Sequence, residues 1–191
     1  MAKPTPITGL DPARRLRPAA QVIMRVRLGE VYEYERDVLD PANVTELHDM
    51  RIACKRLRYL LEIFGIAFEA DLDPYLDEVR GLQDLLGDIH DRDVQVPALE
   101  EHLEWLAARE AEAARALIAE QEPGGRDPDA AYHAFRRRFE ASRRADERPG
   151  VHLLIARKRR ERDELYDTFL EEWRRLRHER FRERLEAALG L

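Results

Sequence analysis

His48, Arg51, Lys55 and Arg58 recur three and four residues apart, with Tyr59 next to the last of them. At about 100° per residue on a helix, these five side chains gather within about 100° of one another. The face they share is distinct from that of Leu47, Met50, Ala53, Leu57, Leu61 and Phe64, and Arg56 lies apart from both. Cations one turn apart repel by a few tenths of a kcal/mol each, so something should compensate them. Nearby carboxylates (Asp49, Glu62, Asp84 or Asp88) would do so, as would simple solvation of the face. A polyanion has a geometric advantage: cationic groups repeated roughly every 5 Å can meet successive phosphates along an extended chain. Arginine offers forked donors, lysine a compact charge, and histidine a ring N–H whose charge depends on pH. A phosphate neighbour would raise the His48 pKa, so binding would tighten towards acid pH.

Such a row needs long helices to carry it, and the chain is written for them. Charged residues make up 38% of the 191 and the hydrophobic set 44%, aromatics are only 7%, and no stretch alternates as a strand would. Asp11-Pro12 opens a first helix running to about Leu39, and Asp40-Pro41 restarts the chain into a second reaching Phe68. Asp73-Pro74 opens a third through Leu76, Val79, Leu82, Leu85, Leu86 and Ile89, and Pro97 marks the start of the next segment. A fourth helix spans about Ala98 to Gln121 and stops at Pro123-Gly124-Gly125. A shorter fifth, Asp127 to Arg148, closes on a turn at Pro149-Gly150. The last, Val151 to Leu189, carries Leu165, Phe169, Trp173 and Leu176 on an apolar line amid a mosaic of Arg and Glu. The expected fold class is all-α: a bundle of about six long antiparallel helices with a basic groove or channel. Residues 1–10 are expected to form a disordered N-terminus and residues 11–191 a single domain.

Net charge narrows the partners. At −6 the chain lacks the basic excess of a non-specific nucleic-acid binder, so any polyanion site is local and no specific nucleic acid is expected. The lone Cys54 among apolar neighbours reads as a core thiol in a reducing compartment. No apolar run is long enough to span a bilayer and the N-terminus has no signal-like core, so a cytoplasmic protein without a membrane partner is expected.

The stretch Leu47-His48-Asp49-Met50-Arg51-Ile52-Ala53-Cys54-Lys55-Arg56-Leu57-Arg58-Tyr59-Leu60-Leu61-Glu62 resembles the H-x-x-R-x-x-x-(K/R)-R-L-R-Y signature of the CHAD family, the conserved histidine α-helical domain. Leu82-Gln83-Asp84-Leu85-Leu86-Gly87-Asp88-Ile89-His90-Asp91 is similar to the family's L-Q-x-x-L-G-x-x-x-D segment. The resemblance implies a helical bundle that binds inorganic polyphosphate through basic residues, with no activity of its own. His48, Arg51, Lys55, Arg56 and Arg58 match the basic motif, and Gln83, Gly87 and Asp91 match the second. In the second, Gly87 is expected to permit close helix approach and Asp91 to orient a basic side chain. The family usually carries two copies of the unit, whereas only one clear copy of the basic motif stands here. In the last helix His152, Arg159, Arg160 and Arg162 repeat its offsets, with Ile155 where Arg51 would be.

Periodicity adds further cations. Lys158 and Arg162 share a face with Val151, Leu165, Phe169, Trp173 and Leu176, and Arg27 shares one with Leu16, Ala20 and Ile23. Inward cations need an anion, either a bound ligand or an internal carboxylate such as Glu30. The expected polyphosphate site is thus His48, Arg51, Lys55, Arg56, Arg58, Arg27, Lys158 and Arg162. No catalytic constellation, cofactor motif or metal site is found: His90, Asp91 and Asp93 do not share a helix face as ligands four apart would. Two alternatives stay open: an enzyme or accessory subunit acting on polyphosphate or a triphosphate with a divalent metal at Asp84, Asp88 or Asp91, and a helical protein-interaction scaffold. A homo-oligomer would let another subunit supply a second basic half.

Overall fold

A computed structural model describes residues 3–10, 15–119, 128–143 and 146–191. Among these, six α-helices and two short 3-10 turns occur and no strand, so the all-α expectation holds. In chain order they are α1 (Leu16–Glu33), a 3-10 turn at Asp37–Leu39, α2 (Val44–Phe64), a second at Gly65–Ala67, α3 (Asp73–Ala119), α4 (Pro128–Arg143), α5 (Arg148–His178) and α6 (Phe181–Leu189). The chain packs as two compact units, one made of residues 1–93 and 161–191, the other of residues 94–160.

In the first unit every helix presents an apolar stripe at three- and four-residue spacing. Ala20, Met24, Leu28 and Val31 of α1, and Leu47, Met50, Ala53, Cys54, Leu57 and Leu61 of α2, are buried in one core. Val79, Leu82, Leu86 and Ile89 of α3 join them, with Tyr166, Phe169, Trp173 and Leu176 of α5 and Phe181, Leu185 and Leu189 of α6. Cys54 is fully enclosed, and burial pushes its thiol pKa up to about 12. Local carboxylates turn the chain ahead of two helices: Asp40 Oδ1 accepts the Ala42 N–H at 2.9 Å before α2, and Asp71 Oδ1 accepts that of Asp73, the first residue of α3, at 3.0 Å.

Several boundaries differ from the sequence reading: the first two helices end at Glu33 and Phe64, each followed by a 3-10 turn, short of the expected Leu39 and Phe68, and three further differences follow. Pro97 lies inside α3, which runs unbroken for 47 residues, rather than starting a separate helix. A proline there removes only the bond its own nitrogen would make to the Asp93 carbonyl, and the helix continues on both sides. Pro149 and Gly150 do not make a turn; they form the first turn of α5, where a missing N–H loses nothing, and Asp146 Oδ1 accepts the Arg148 N–H at 3.1 Å. The last helix is two: Arg180 adopts a left-handed conformation, φ 56° and ψ 46°, and the chain turns there. The turn lets α6 place Phe181, Leu185 and Leu189 in the core, where Gln21 of α1 donates to the Leu189 carbonyl at 2.9 Å. The signals Asp11-Pro12 and Pro123-Gly124-Gly125 lie outside the described residues.

The second unit contains the later part of α3, α4 and the first part of α5. Arg148 meets Glu110 at 2.5 Å, and Arg159 meets Glu100, so numbers rise along α5 as they fall along α3 and the two run antiparallel. Ile155 is buried there, and Trp105 lies outside, stacked on His102 at 5.5 Å. Among the described residues of the whole chain no helix is long and apolar enough to cross a membrane.

Candidate functional site

The stripe that buries α2 in the core leaves its basic face outward, and α3 crosses beside that face. The register is antiparallel: Arg80 of α3 lies 3.9 Å from Glu62 of α2, Gln83 bonds Arg58, Gly87 faces Arg51, and His90 meets His48. Each basic side chain of the row but Lys55 therefore has a neighbour on α3.

Arg58 is the most constrained. Its Nε donates to Gln83 Oε1 at 2.9 Å, its Nη1 to Glu62 Oε1 at 3.2 Å, and its guanidinium lies 4.6 Å from the centre of the Tyr59 ring. Lys55 Nζ lies 5.8 Å from the same ring, so Tyr59, which is 43% exposed, carries a cation–π contact from each. Arg51 and Lys55 have no carboxylate partner among the described residues. A Cβ at Gly87 would stand 3.5 Å from Arg51 Nε, an ordinary van der Waals contact, so the guanidinium lies beside this position of α3. The only neighbour such a Cβ would meet is this side chain, so the geometry does not require glycine for the expected close approach of a helix.

His48 and His90 face each other with their Nδ1 atoms 3.2 Å apart and ring centres at 4.4 Å. Burial holds the His48 pKa below its ordinary value, the nearby His90 and Arg51 push the same way, and Asp49 opposes them. His48 is thus neutral around pH 7 in the free protein.

The remaining sequence-derived candidates are elsewhere. Arg27, with a side chain 12% exposed, donates from Nη1 to Glu30 Oε1 at 2.5 Å and to the Thr5 carbonyl at 3.1 Å. Thr5 N–H donates to the same Glu30 oxygen at 2.5 Å, and Arg56 Nη1 approaches the other, Oε2, at 3.7 Å. Glu30, 5% exposed at its side chain, is therefore the internal anion for two arginines and a backbone amide. Arg162 donates from Nε to Asp93 at 3.0 Å and from Nη2 to the Pro41 carbonyl at 2.6 Å, with its guanidinium over Tyr166. Lys158 is half-buried on α5 within the second unit. The structure thus brings His48, Arg51, Lys55 and Arg58 onto one face, gives Arg27 and Arg56 a shared carboxylate in Glu30, and gives Arg162 that of Asp93.

Asp91, expected to orient a basic side chain, is exposed and has no cationic partner among the described residues; Arg92 pairs with Asp88 at 3.2 Å and Glu161 at 3.5 Å instead. The orienting role falls to Gln83, three residues from Glu62's partner Arg80. The sequence alone gives Gln83 and His90 no contact; the signal that finds them is the antiparallel register of α2 against α3. Among the described residues no three His, Cys, Asp or Glu side chains converge as a metal site.

No curated protein and no solved structure matches the chain significantly. The CHAD domain model matches residues 2–100, which hold α1, α2, the start of α3 and the whole basic row, and with more than half its length so matched the chain belongs to the CHAD-domain family.

Proposed function

We propose that this protein binds inorganic polyphosphate on the outward face of α2, with Arg51 and Lys55 as the principal contacts, Arg58 as a pre-oriented third and His48 at the end of the row. The observation that carries the reading is the pairing pattern: Arg51 and Lys55 are one turn apart and lack carboxylates among the described residues, while other cations of the same unit have them. Like charges so placed are relieved when successive phosphates bridge them by charge-assisted hydrogen bonds. Membership of a family linked to polyphosphate and triphosphate proteins supports the same ligand. Arg27, Arg56 and Arg162 act in this reading as supports, because each would have to leave a carboxylate to meet a ligand. The role is binding rather than catalysis, and the buried free thiol of Cys54 fits work in the reducing cytoplasm.

The test is calorimetric titration with long-chain polyphosphate, short-chain polyphosphate, ATP and DNA at two salt concentrations. Wild type should bind the long chain most tightly and lose affinity as salt rises. Arg51→Glu/Lys55→Glu should weaken binding about a hundredfold or more while circular dichroism stays helical, since two attractions become repulsions. A folded double variant that binds like wild type overturns the proposal. Phosphate release under Mg²⁺ or Mn²⁺ would point instead to an enzyme.

A further inference from the structure

We infer that His90 is a second imidazole of the anion site, and that the His48–His90 pair, joined through Nδ1 atoms 3.2 Å apart, couples anion binding to the uptake of a proton. The inference rests on the α2 face being the anion site.

At that separation the two Nδ1 atoms cannot both present lone pairs or both present hydrogens, so one ring donates and the other accepts. The donor ring keeps a free Nε2. A proton added there leaves the N–H···N bond intact and strengthens it, because the donor is now an imidazolium. A second proton has only the accepting Nδ1 to go to, and it would break the bond and set two cations face to face. The intact pair therefore has room for one added charge.

The surroundings decide when that charge appears. On α2, Asp49 favours it and Arg51 opposes it, and partial burial also disfavours it. On α3, the acidic neighbours of His90 are Asp91, which is exposed, and Asp93, which is engaged by Arg162 of α5; Arg92 is held by Asp88 and Glu161. In the free protein near pH 7 the row ends on a neutral His48. A phosphate oxygen seated on Arg51, one turn from His48, adds the negative charge that the pair lacks and can accept from its Nε2–H. The bound state then holds a proton that the free state does not. Affinity rises as pH falls and levels off once the free state also carries that proton.

The experiment measures long-chain inorganic polyphosphate binding at low salt from pH 5.5 to 8, in buffers of differing ionisation enthalpy. It compares wild type, His90→Gln and, as a control in the second unit, His102→Gln. Histidine Cε1–H resonances are followed in the free and bound protein. Wild type and His102→Gln should gain up to about tenfold in affinity per pH unit on acidification, with about one proton taken up. His48 and His90 resonances should both move on binding near neutral pH. In His90→Gln the free His48 should titrate closer to the ordinary value of about 6.5, and the affinity profile should be shallower and level off at higher pH. A flat wild-type profile, or a His90→Gln profile superimposable on wild type, overturns the inference and leaves the α2 site standing. Absence of wild-type binding at every pH overturns both.

Discussion

Two clusters of cations in the same unit meet different fates. Arg27 and Arg56 converge on Glu30, whose Oε1 also accepts the Thr5 N–H, so that centre carries its own counter-charge. Arg51 and Lys55 on the outward face of α2 have no such counter-charge among the described residues, and even Arg58 shares its donors between a carboxylate and the neutral amide of Gln83. Density of positive charge is thus a poor guide to an anion site. What separates the two is whether the fold has already spent the donors, and enclosure drives that choice: a side chain as covered as Arg27 must have its partner built in.

The sharpest way to break this contrast is Glu30→Ala. Leaving Arg27 without its enclosed partner should destabilise the fold by about 3 kcal/mol, read as a lowered denaturant midpoint, because an uncompensated buried charge remains. The affinity of the folded fraction for polyphosphate should be unchanged; a large loss would mean that the Glu30 centre belongs to the binding surface. Gln83→Ala probes the other cluster more gently. Losing one orienting hydrogen bond on Arg58 should weaken polyphosphate binding by about fivefold, on the order of 1 kcal/mol, with little change in melting temperature.

These two substitutions also mark how far the sequence alone could reach. Glu30 stands three residues after Arg27, so a helical reading could name it as the internal carboxylate, and the row from His48 to Arg58 follows from α2 being a helix. Gln83 and His90 depend on which residue of α3 falls opposite which residue of α2, a tertiary fact that periodicity within one helix does not contain. The boundary errors have a common origin. Pro97 reads as the start of a segment and Pro149-Gly150 as a turn, yet a proline withholds one donor, which a long helix or a first turn can do without. The real break, at Arg180, uses a residue type that carries no turn signal and accepts a left-handed conformation so that α6 can bury its apolar face.

Acid should act on the fold and on the site in opposite directions. His48 has its folded-state pKa held down by burial and by His90, so the unfolded chain protonates first. Stability contributed by the neutral ring is present above the unfolded value of about 6.5 and is lost as pH falls towards the folded one. Urea midpoints measured from pH 7.5 to 5.5 should decline, and bound polyphosphate should reverse the trend. The smallest expected effect belongs to Lys55→Gln. Removing one charge from the unrelieved row should stabilise the free protein by a few tenths of a kcal/mol in thermal melts while weakening the ligand complex. An unchanged or lowered midpoint would mean that the row is already neutralised.

Gly87 gives the site an adjustable floor. The helix forgoes about 1 kcal/mol of propensity relative to alanine at that position. The Arg51 guanidinium lies beside it, and a methyl group there would meet its Nε at 3.5 Å, an ordinary van der Waals contact. A graded series in which Ala fits and Ser and Val crowd that guanidinium would displace it by steps while leaving every charge in place. Position 87 is therefore a steric tuning screw: it separates how strongly the row attracts an anion from how deeply the anion can sit.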